Sequence, residues 1–396
     1  MTILNINNYH FIRGGSDKIF FNHMEILNSK GIKSIPFSPL DDNSIKSPWN
    51  VNFPKAVDVK NPKPLDLPKF FYNIEAKSML SELLTTNNIS LAHLHIYYGR
   101  LTTSILDSLK SKSIPIIQTL HDYKLICPNN NLIDAEKICE FCDGNKFYKS
   151  IYKKCNDGSL LKTSIVALES YFSKWNGNIS KIDHFIAVSH FLKTKLTQYG
   201  IPEDKITVIH NPIDHKLYEP SYDNNNYFIY FGRIEKIKGI NSMIKASIEA
   251  DVNLKIVGDG NELDSLKEEF KEHTKIEFLG FKSGKNLEKL IKESIASICP
   301  SICYDIFPTS ILESFAYGKA VIGSNIGGIP EIIDHDINGY LYTPGNHKQL
   351  SSLLKQFQLN KVNHKKFGEN ARLKVVENYN KEQYFLQIKK LYEKYI

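Results

Sequence analysis

Residues 294–331 read SIASICPSICYDIFPTSILESFAYGKAVIGSNIGGIPE. A β-branched run at 294–299 comes first, then an amphipathic stretch at 309–317, then a second apolar run at 320–323. Strand, helix and strand in that order make the crossover unit of a parallel sheet. Two acids, Asp305 and Glu313, stand eight residues apart and bracket the start of the helix. A helix that begins straight after a strand points its first backbone N–H groups beyond the carboxyl end of the sheet, where they can hold a pyrophosphate. Taken singly, Asp305 also reads as a helix cap and Glu313 as a solvated helix carboxylate.

The same alternation extends in both directions. Apolar runs at 2–7, 33–37, 91–96, 115–120, 184–188 and 205–209 form one series of strands. Runs at 227–231, 254–257, 275–279, 294–299, 320–323 and 339–342 form a second. Helix-like segments lie between them, among them 17–29, 101–110, 160–174, 189–199, 262–270 and 309–317. Few of the strand runs alternate cleanly, as expected of strands covered on both faces. The expected fold class is therefore α/β, with two Rossmann-like, doubly wound parallel sheets.

Pro212, Pro220 and the polar run at 221–226 have linker chemistry. We expect a first domain over 1–212, a second over 213–378, and a last helix over 379–396 packing back toward the first. The Pro-, Asp- and Asn-rich stretch 41–68 reads as a long loop. Ligands of open α/β sheets bind beyond the carboxyl ends of the strands, so residues just after strands matter most.

Size and composition fit such a chain. Its 396 residues exceed one ordinary core, and 42% hydrophobic with 23% charged residues is a globular balance. Residues 1–215 hold 25 Lys and Arg against 20 Asp and Glu, most of the net +7, but there is no dense basic stripe of the kind nucleic acid requires. No run of about 18 apolar residues exists to span a bilayer. The start MTILNINNYHFIRGG lacks the pattern of a signal peptide. The expected location is the cytoplasm, or the inner face of the plasma membrane as a peripheral protein.

Four further features follow strands. Phe231-Gly-Arg233-Ile-Glu-Lys-Ile-Lys238-Gly places two cations on one loop, suited to neutralising a departing diphosphate. Gln118-Thr-Leu-His121-Asp122 puts an imidazole at a strand end, where it can bind or orient a ligand. Arg13-Gly14-Gly15 and Val257-Gly258-Asp259-Gly260 bring backbone where a phosphate or nucleotide could approach closely. A solvated basic loop, an ordinary buried histidine and simple turns are the competing readings.

Taken together these segments resemble glycosyltransferase family 4, in which two Glu flank seven residues and Gly-Gly-x-x-Glu follows a strand downstream. Asp305 stands for the first Glu. Phe307, Pro308, Glu313, Gly318, Ser324, Gly327, Gly328, Pro330 and Glu331 match, as do the Gly-Arg…Lys-Gly and His-Asp segments. The resemblance implies the GT-B arrangement of two such domains facing across a cleft, and a retaining transfer of sugar from a nucleoside-diphosphate sugar with no metal needed for catalysis. It implies that Asp305 contacts the donor sugar and Glu313 the ribose, with His121 beside the reacting sugar. Arg233, Lys238, Gly14, Gly15, Phe307, Thr309 and Ser310 would border the diphosphate, Gly258 and Gly260 the nucleotide, and Asn211 the cleft. A branch of the family associated with bacterial cell-surface polysaccharides carries similar Leu120–Pro128 and cysteine segments, which implies a glycan or lipid-linked glycan acceptor. A nucleotide-sugar epimerase and a non-catalytic nucleotide-sugar-binding protein are the alternatives.

Two features lie outside that scheme. Cys127, Cys139, Cys142 and Cys155 fall in an insertion at about 124–160 with the spacing C-x11-C-x2-C-x12-C. This fits a structural zinc site, four unconnected thiols or an adventitious disulfide. Residues 146–154, KFYKSIYKK, interleave basic and aromatic side chains, as a segment touching an anionic membrane does and as a solvated, partly packed helix also does.

Overall fold

The computed structural model describes residues 1–58 and 66–396. Part of the long loop expected over 41–68, residues 59–65, lies outside the described residues. The chain divides into two compact units. The first holds Met1–Asp134, Cys139–His210 and Tyr384–Ile396, and the second Ala135–Ile138 and Asn211–Gln383.

In chain order the strands are β1 (Thr2–Ile6), β2 (Lys33–Phe37), β3 (Leu91–Leu94), β4 (Ile116–Leu120), β5 (Ile133–Asp134), β6 (Lys137–Ile138), β7 (His184–Ala187), β8 (Ile206–Val208), β9 (Phe228–Phe231), β10 (Leu254–Val257), β11 (Ile276–Gly280), β12 (Ala296–Cys299), β13 (Ala320–Ser324) and β14 (Gly339–Tyr342). The twelve sequence-read strands are all present, most trimmed by a residue or two. The first unit is built on the sheet β2-β1-β3-β4-β7-β8, and the second on β11-β10-β9-β12-β13-β14. Every pairing in both is parallel, with registers such as Ile3↔Leu91 and Ile298↔Ile322.

All residues of β3, β4, β9, β12 and β13 are buried, which explains their near-continuous apolar runs: helices cover both faces. Local sequence starts those helices. Asn73 Oδ1 accepts the Ala76 N–H and opens the helix Ile74–Thr86, which buries Ala76, Leu80, Leu83 and Leu84 at helical spacing. Losing such a cap typically costs about 1 kcal/mol. The Ser159 and Ser189 side chains open Leu160–Trp175 and His190–Gln198 in the same way.

In each sheet the chain reverses direction of travel once, between β1 and β3 in the first and between β9 and β12 in the second. Strand connections leave these two points on opposite faces, so a crevice forms at the carboxyl ends there. The loops after β1 and β9 carry Gly14–Gly15 and Arg233–Lys238, and the loop after β12 carries Asp305. The first unit also takes its last core residues from far along the chain. Tyr384, Ile388, Leu391 and Tyr392 pack with Ile3, Ile26, Leu91, Ile117 and Ile186.

Candidate functional site

In the second unit the loops after β9, β10, β12 and β13 interlock. Gly232 N–H donates to Val257 O and Ile234 N–H to Asp259 O, at 3.0 and 2.8 Å. A Cβ on Gly258 would lie 1.8 Å from Gly232 O, and one on Gly260 2.2 Å from Ile234 O. These two glycines are therefore required by backbone packed against the Arg233 loop, whatever ligand they border. Gly327, at φ +61°, sits with its Cα against Asp305, where a Cβ would come within 2.3 Å of the Asp305 carbonyl. The next N–H, of Gly328, donates to that carbonyl at 2.7 Å. The downstream Gly-Gly thus clamps the backbone of the acid.

Asp305 does not cap the helix. Thr309–Ala316 begins after Pro308 with no side chain bonded to its first N–H groups. One Asp305 carboxylate oxygen instead pairs with Lys238 Nζ, and the other accepts the Ser301 hydroxyl. The side chains of Lys238 and Asp305 are only 16% and 18% exposed. Burial alone would raise the Asp305 pKa, but the Lys238 charge, the hydrogen bonds from Lys238 and Ser301, and the Arg233 charge outweigh it and hold the carboxyl below its ordinary value. Burial works against the Lys238 charge too, and Asp305 more than compensates, raising the ammonium pKa. The pair is ionised throughout the neutral range.

Arg233 is different in kind. Its side chain is 71% exposed and bonds to Glu235 at 2.8 Å, while Tyr230 Oη donates to its carbonyl at 2.6 Å and fixes the loop. The second unit thus presents one exposed cation paired to Glu235, one partly buried cation paired to Asp305, and a helix N-terminus without a side-chain cap. Glu313 lies four residues into that helix, partly exposed, with Thr309 and Ser310 in its first turn. The Phe307 ring is turned away into the core, edge-on to Tyr379 at 5.6 Å. Any phosphate contact at position 307 falls to its backbone. Asn211 is buried where the second unit begins.

In the first unit Gly14 and Gly15 open the helix Gly15–Ser29 after the β1 loop. Packing does not explain Gly14: its φ of −168° suits any residue, and a Cβ would meet nothing within 4 Å. Buried Asp17 holds the loop by accepting from Asn7 Nδ2 and the Arg13 N–H, and Arg13 lies 3.5 Å over the Tyr9 ring.

His121, just past β4, is the visible end of a buried stack. His23, His93, His95 and His121 follow one another with ring centroids 4.3, 4.9 and 5.1 Å apart. Both nitrogens of His23 reach tyrosine hydroxyls, Tyr384 at 2.9 Å and Tyr392 at 3.1 Å, and His93 bonds to Tyr392 and Thr119 at 2.5 and 2.7 Å. His95 Nδ1 lies 2.8 Å from His121 Nε2, and His95 Nε2 is buried without a partner. A buried bare lone pair costs less than a buried unpaired N–H, so His95 Nδ1–H donates and His121 Nε2 accepts. His121 then carries its proton on Nδ1. Burial lowers all four pKa values, His121 to about 4 and His23 to about 3. His121 is thus a neutral donor held in one tautomer, suited to binding a hydroxyl rather than shuttling protons. With their nitrogens engaged, His23 and His93 are not free to ligate a metal.

His23, His93 and His95 were not singled out in the sequence. The available signal was His-x-His at 93 and 95, a spacing that puts both rings on one face of a strand. Asp122, beside His121, is pushed up to about 6 by burial, with the Lys124 N–H and charge opposing.

Comparison with known proteins identifies the family. Residues 13–217, more than half of the chain, match the description Glycosyltransferase Family 4, and residues 215–374 match Glycosyl transferases group 1. N-acetyl-alpha-D-glucosaminyl L-malate synthase of Bacillus anthracis is 29% identical over 54% of this chain and 60% of its own length. Lipopolysaccharide 1,6-galactosyltransferase of Escherichia coli K12 is 26% identical over 45% of this chain and 53% of its own. The chain thus spans little more than half the length of these two relatives. HepE of Anabaena, solved with UDP-glucose, has the same fold over 100% of both chains at a TM-score of 0.68 and 17% identity.

Proposed function

The chain belongs to glycosyltransferase family 4, and on that premise we propose that it moves a sugar, with retention of anomeric configuration, from a nucleoside-diphosphate sugar to a hydroxyl of a surface glycan or its lipid-linked precursor. The observation that carries this reading is the grouping of Arg233, Lys238, Asp305 and the start of the helix Thr309–Ala316 at the point where the second sheet reverses.

Breaking the anomeric bond makes the sugar oxocarbenium-like and the leaving diphosphate more negative. Arg233 offers a planar fork to that charge, Lys238 has further N–H donors beside the one given to Asp305, and the first helix amides add theirs. Two cations and a helix end supply this neutralisation without a divalent metal. On this reading Asp305 contacts the donor sugar, Glu313 the ribose, and His121 Nδ1–H a sugar oxygen. Gly14, unexplained by packing, is read as a close backbone approach to the donor. The structure of HepE with UDP-glucose makes uridine the first base to try. The galactosyltransferase relative supports a surface-glycan acceptor.

A lipid-linked acceptor has support of its own. The helix Leu160–Trp175 buries Thr163, Ala167, Ser170 and Ser173, while Leu161, Leu168 and Trp175 are 71%, 56% and 83% exposed along one line. Tyr148 and Tyr152 are exposed nearby in sequence, among Lys146, Lys149, Lys153, Lys154 and Lys162. Apolar residues facing out among lysines fit an anionic bilayer surface. No helix among the described residues is long and apolar enough to cross a membrane. Flotation that does not respond to anionic lipid would retire this face.

The test of the reaction is a thermal-shift screen across nucleotide sugars, since a true donor stabilises the protein by mass action. Nucleoside-diphosphate release is then measured for the best donor. Arg233→Ala and Glu313→Ala should each abolish most of it, and normal turnover in both refutes the assignment. An epimerised sugar formed without acceptor would favour the epimerase reading. Tight binding without turnover would favour a non-catalytic protein.

A further inference from the structure

We propose that Cys127, Cys139, Cys142 and Cys155 bind one structural zinc ion as a tetrathiolate. The sequence spacing alone left unconnected thiols and a disulfide equally available. The fold brings all four cysteines to the lining of one small cavity of about 20 Å³, together with Phe141 and Lys153. None is in a disulfide, although 12 residues separate the last pair and 11 the first.

The second observation is how the sulfurs are held. The backbone N–H groups of Leu132, Asn129 and Asn131 are directed at Cys127, and that of Ser150 at Cys142. Several amides aimed at one sulfur stabilise a thiolate, and such donors surround metal-bound cysteines.

The third is what the segment lacks. Of twelve non-glycine residues with positive φ among the described residues, seven fall between Asn130 and Asp157. Regular structure over this stretch amounts to β5, β6, one short turn and the five-residue helix Lys149–Lys153. Apart from Leu132 and Phe147 the stretch buries few large apolar side chains, and a bound metal would supply a cross-link.

Binding releases one proton from each thiol to solvent and leaves a site of charge −2 beside Lys153. Tetrahedral zinc at about 2.3 Å from each sulfur needs sulfurs roughly 3.8 Å apart. No three of these four sulfurs lie within 4.8 Å of one another among the described residues, so the ion must draw the side chains inward across the cavity. The effect reaches beyond the insertion. Cys127 N–H donates to Tyr123 O at 2.8 Å and Tyr123 N–H to Asn130 O at 3.0 Å, two residues from His121.

Metal analysis of the full chain purified without chelator should find about one equivalent of zinc. Cobalt-substituted wild-type protein should show the visible and near-ultraviolet bands of a tetrahedral tetrathiolate, a readout that needs no variant. Cys142→Ser should lower zinc at least tenfold. Less than about 0.1 equivalent of zinc in the wild type overturns the proposal. So do iron with sulfide, a Cys127–Cys155 disulfide in freshly prepared protein, or full zinc retention in both Cys127→Ser and Cys142→Ser.

Discussion

Acidification from pH 7 to pH 5.5 should destabilise the first unit far more than its surface charges would. Burial depresses the pKa of all four histidines, His23 to about 3 and His121 to about 4, with His93 and His95 shifted in the same direction. In the unfolded chain each titrates near its ordinary value of about 6.5. The folded state therefore binds fewer protons below pH 6.5, and stability falls as pH drops through that window. Between pH 7 and pH 5.5 His23 and His121 each contribute about 1.3 kcal/mol of loss, together about 2.5 kcal/mol, and His93 and His95 act in the same sense. Asp122 acts in the opposite sense. Burial raises it to about 6, so its protonation in the folded state returns roughly 0.8 kcal/mol. The net expectation is a loss of about 2 kcal/mol or more. Both tryptophans, Trp49 and Trp175, lie in the first unit, so tryptophan fluorescence during urea unfolding reports on that unit. His23→Gln should reduce the pH-dependent part by about 1.3 kcal/mol. A wild-type difference below about 1 kcal/mol would refute the argument, since the stack would then be hydrated or charged when folded.

Other outcomes follow from the same geometry. Lys238→Met and Asp305→Asn should be strongly non-additive in stability. A contact pair is worth about 4 kcal/mol at an effective dielectric near 20, and desolvation leaves a coupling of roughly 2–3 kcal/mol. Because the Asp305 pKa is depressed, that coupling should persist from about pH 5 upward and vanish as pH falls through the folded pKa, below its ordinary 3.8. Melting-curve double-mutant cycles measure it, and additivity within about 0.5 kcal/mol sinks the idea. Gly258→Ala should cost about 3 kcal/mol or more, because a methyl cannot coexist with Gly232 O at 1.8 Å. Gly14→Ala should leave the melting temperature unchanged yet weaken donor binding, as read by calorimetric titration with UDP-glucose. His95→Phe should lower kcat about tenfold, the worth of one hydrogen bond of about 1.4 kcal/mol, while the protein stays folded by circular dichroism.

The sheets were legible because buried parallel strands write themselves as short β-branched runs, and Phe228–Phe231 or Ala320–Ser324 admit little else. The family was legible because several post-strand motifs had to agree. Pairings between motifs were not. Lys238 and Asp305 were read as partners of different parts of a ligand, and only the fold shows that, 67 residues apart, they pair with each other. Gly258 and Gly260 read as a nucleotide edge, whereas backbone crossing on the Arg233 loop already demands them. The Phe307 ring, read beside the diphosphate, goes to the core. The histidine stack left no local trace beyond His-x-His, since its closing contact joins His93 to a tyrosine 299 residues away.

That contact bears on the order in which the chain is made. Tyr384 and Tyr392 supply hydroxyls to His23 and His93 and fill the base of the first sheet. Synthesis, however, delivers the whole second unit before them. Until then the first unit has His23 and His93 without their tyrosine partners and an apolar floor uncovered, while every residue of the second unit has already been made. The usual rule that the earlier domain matures first is thereby reversed. Chaperone dependence of newly made protein should concentrate in the half that was translated earliest.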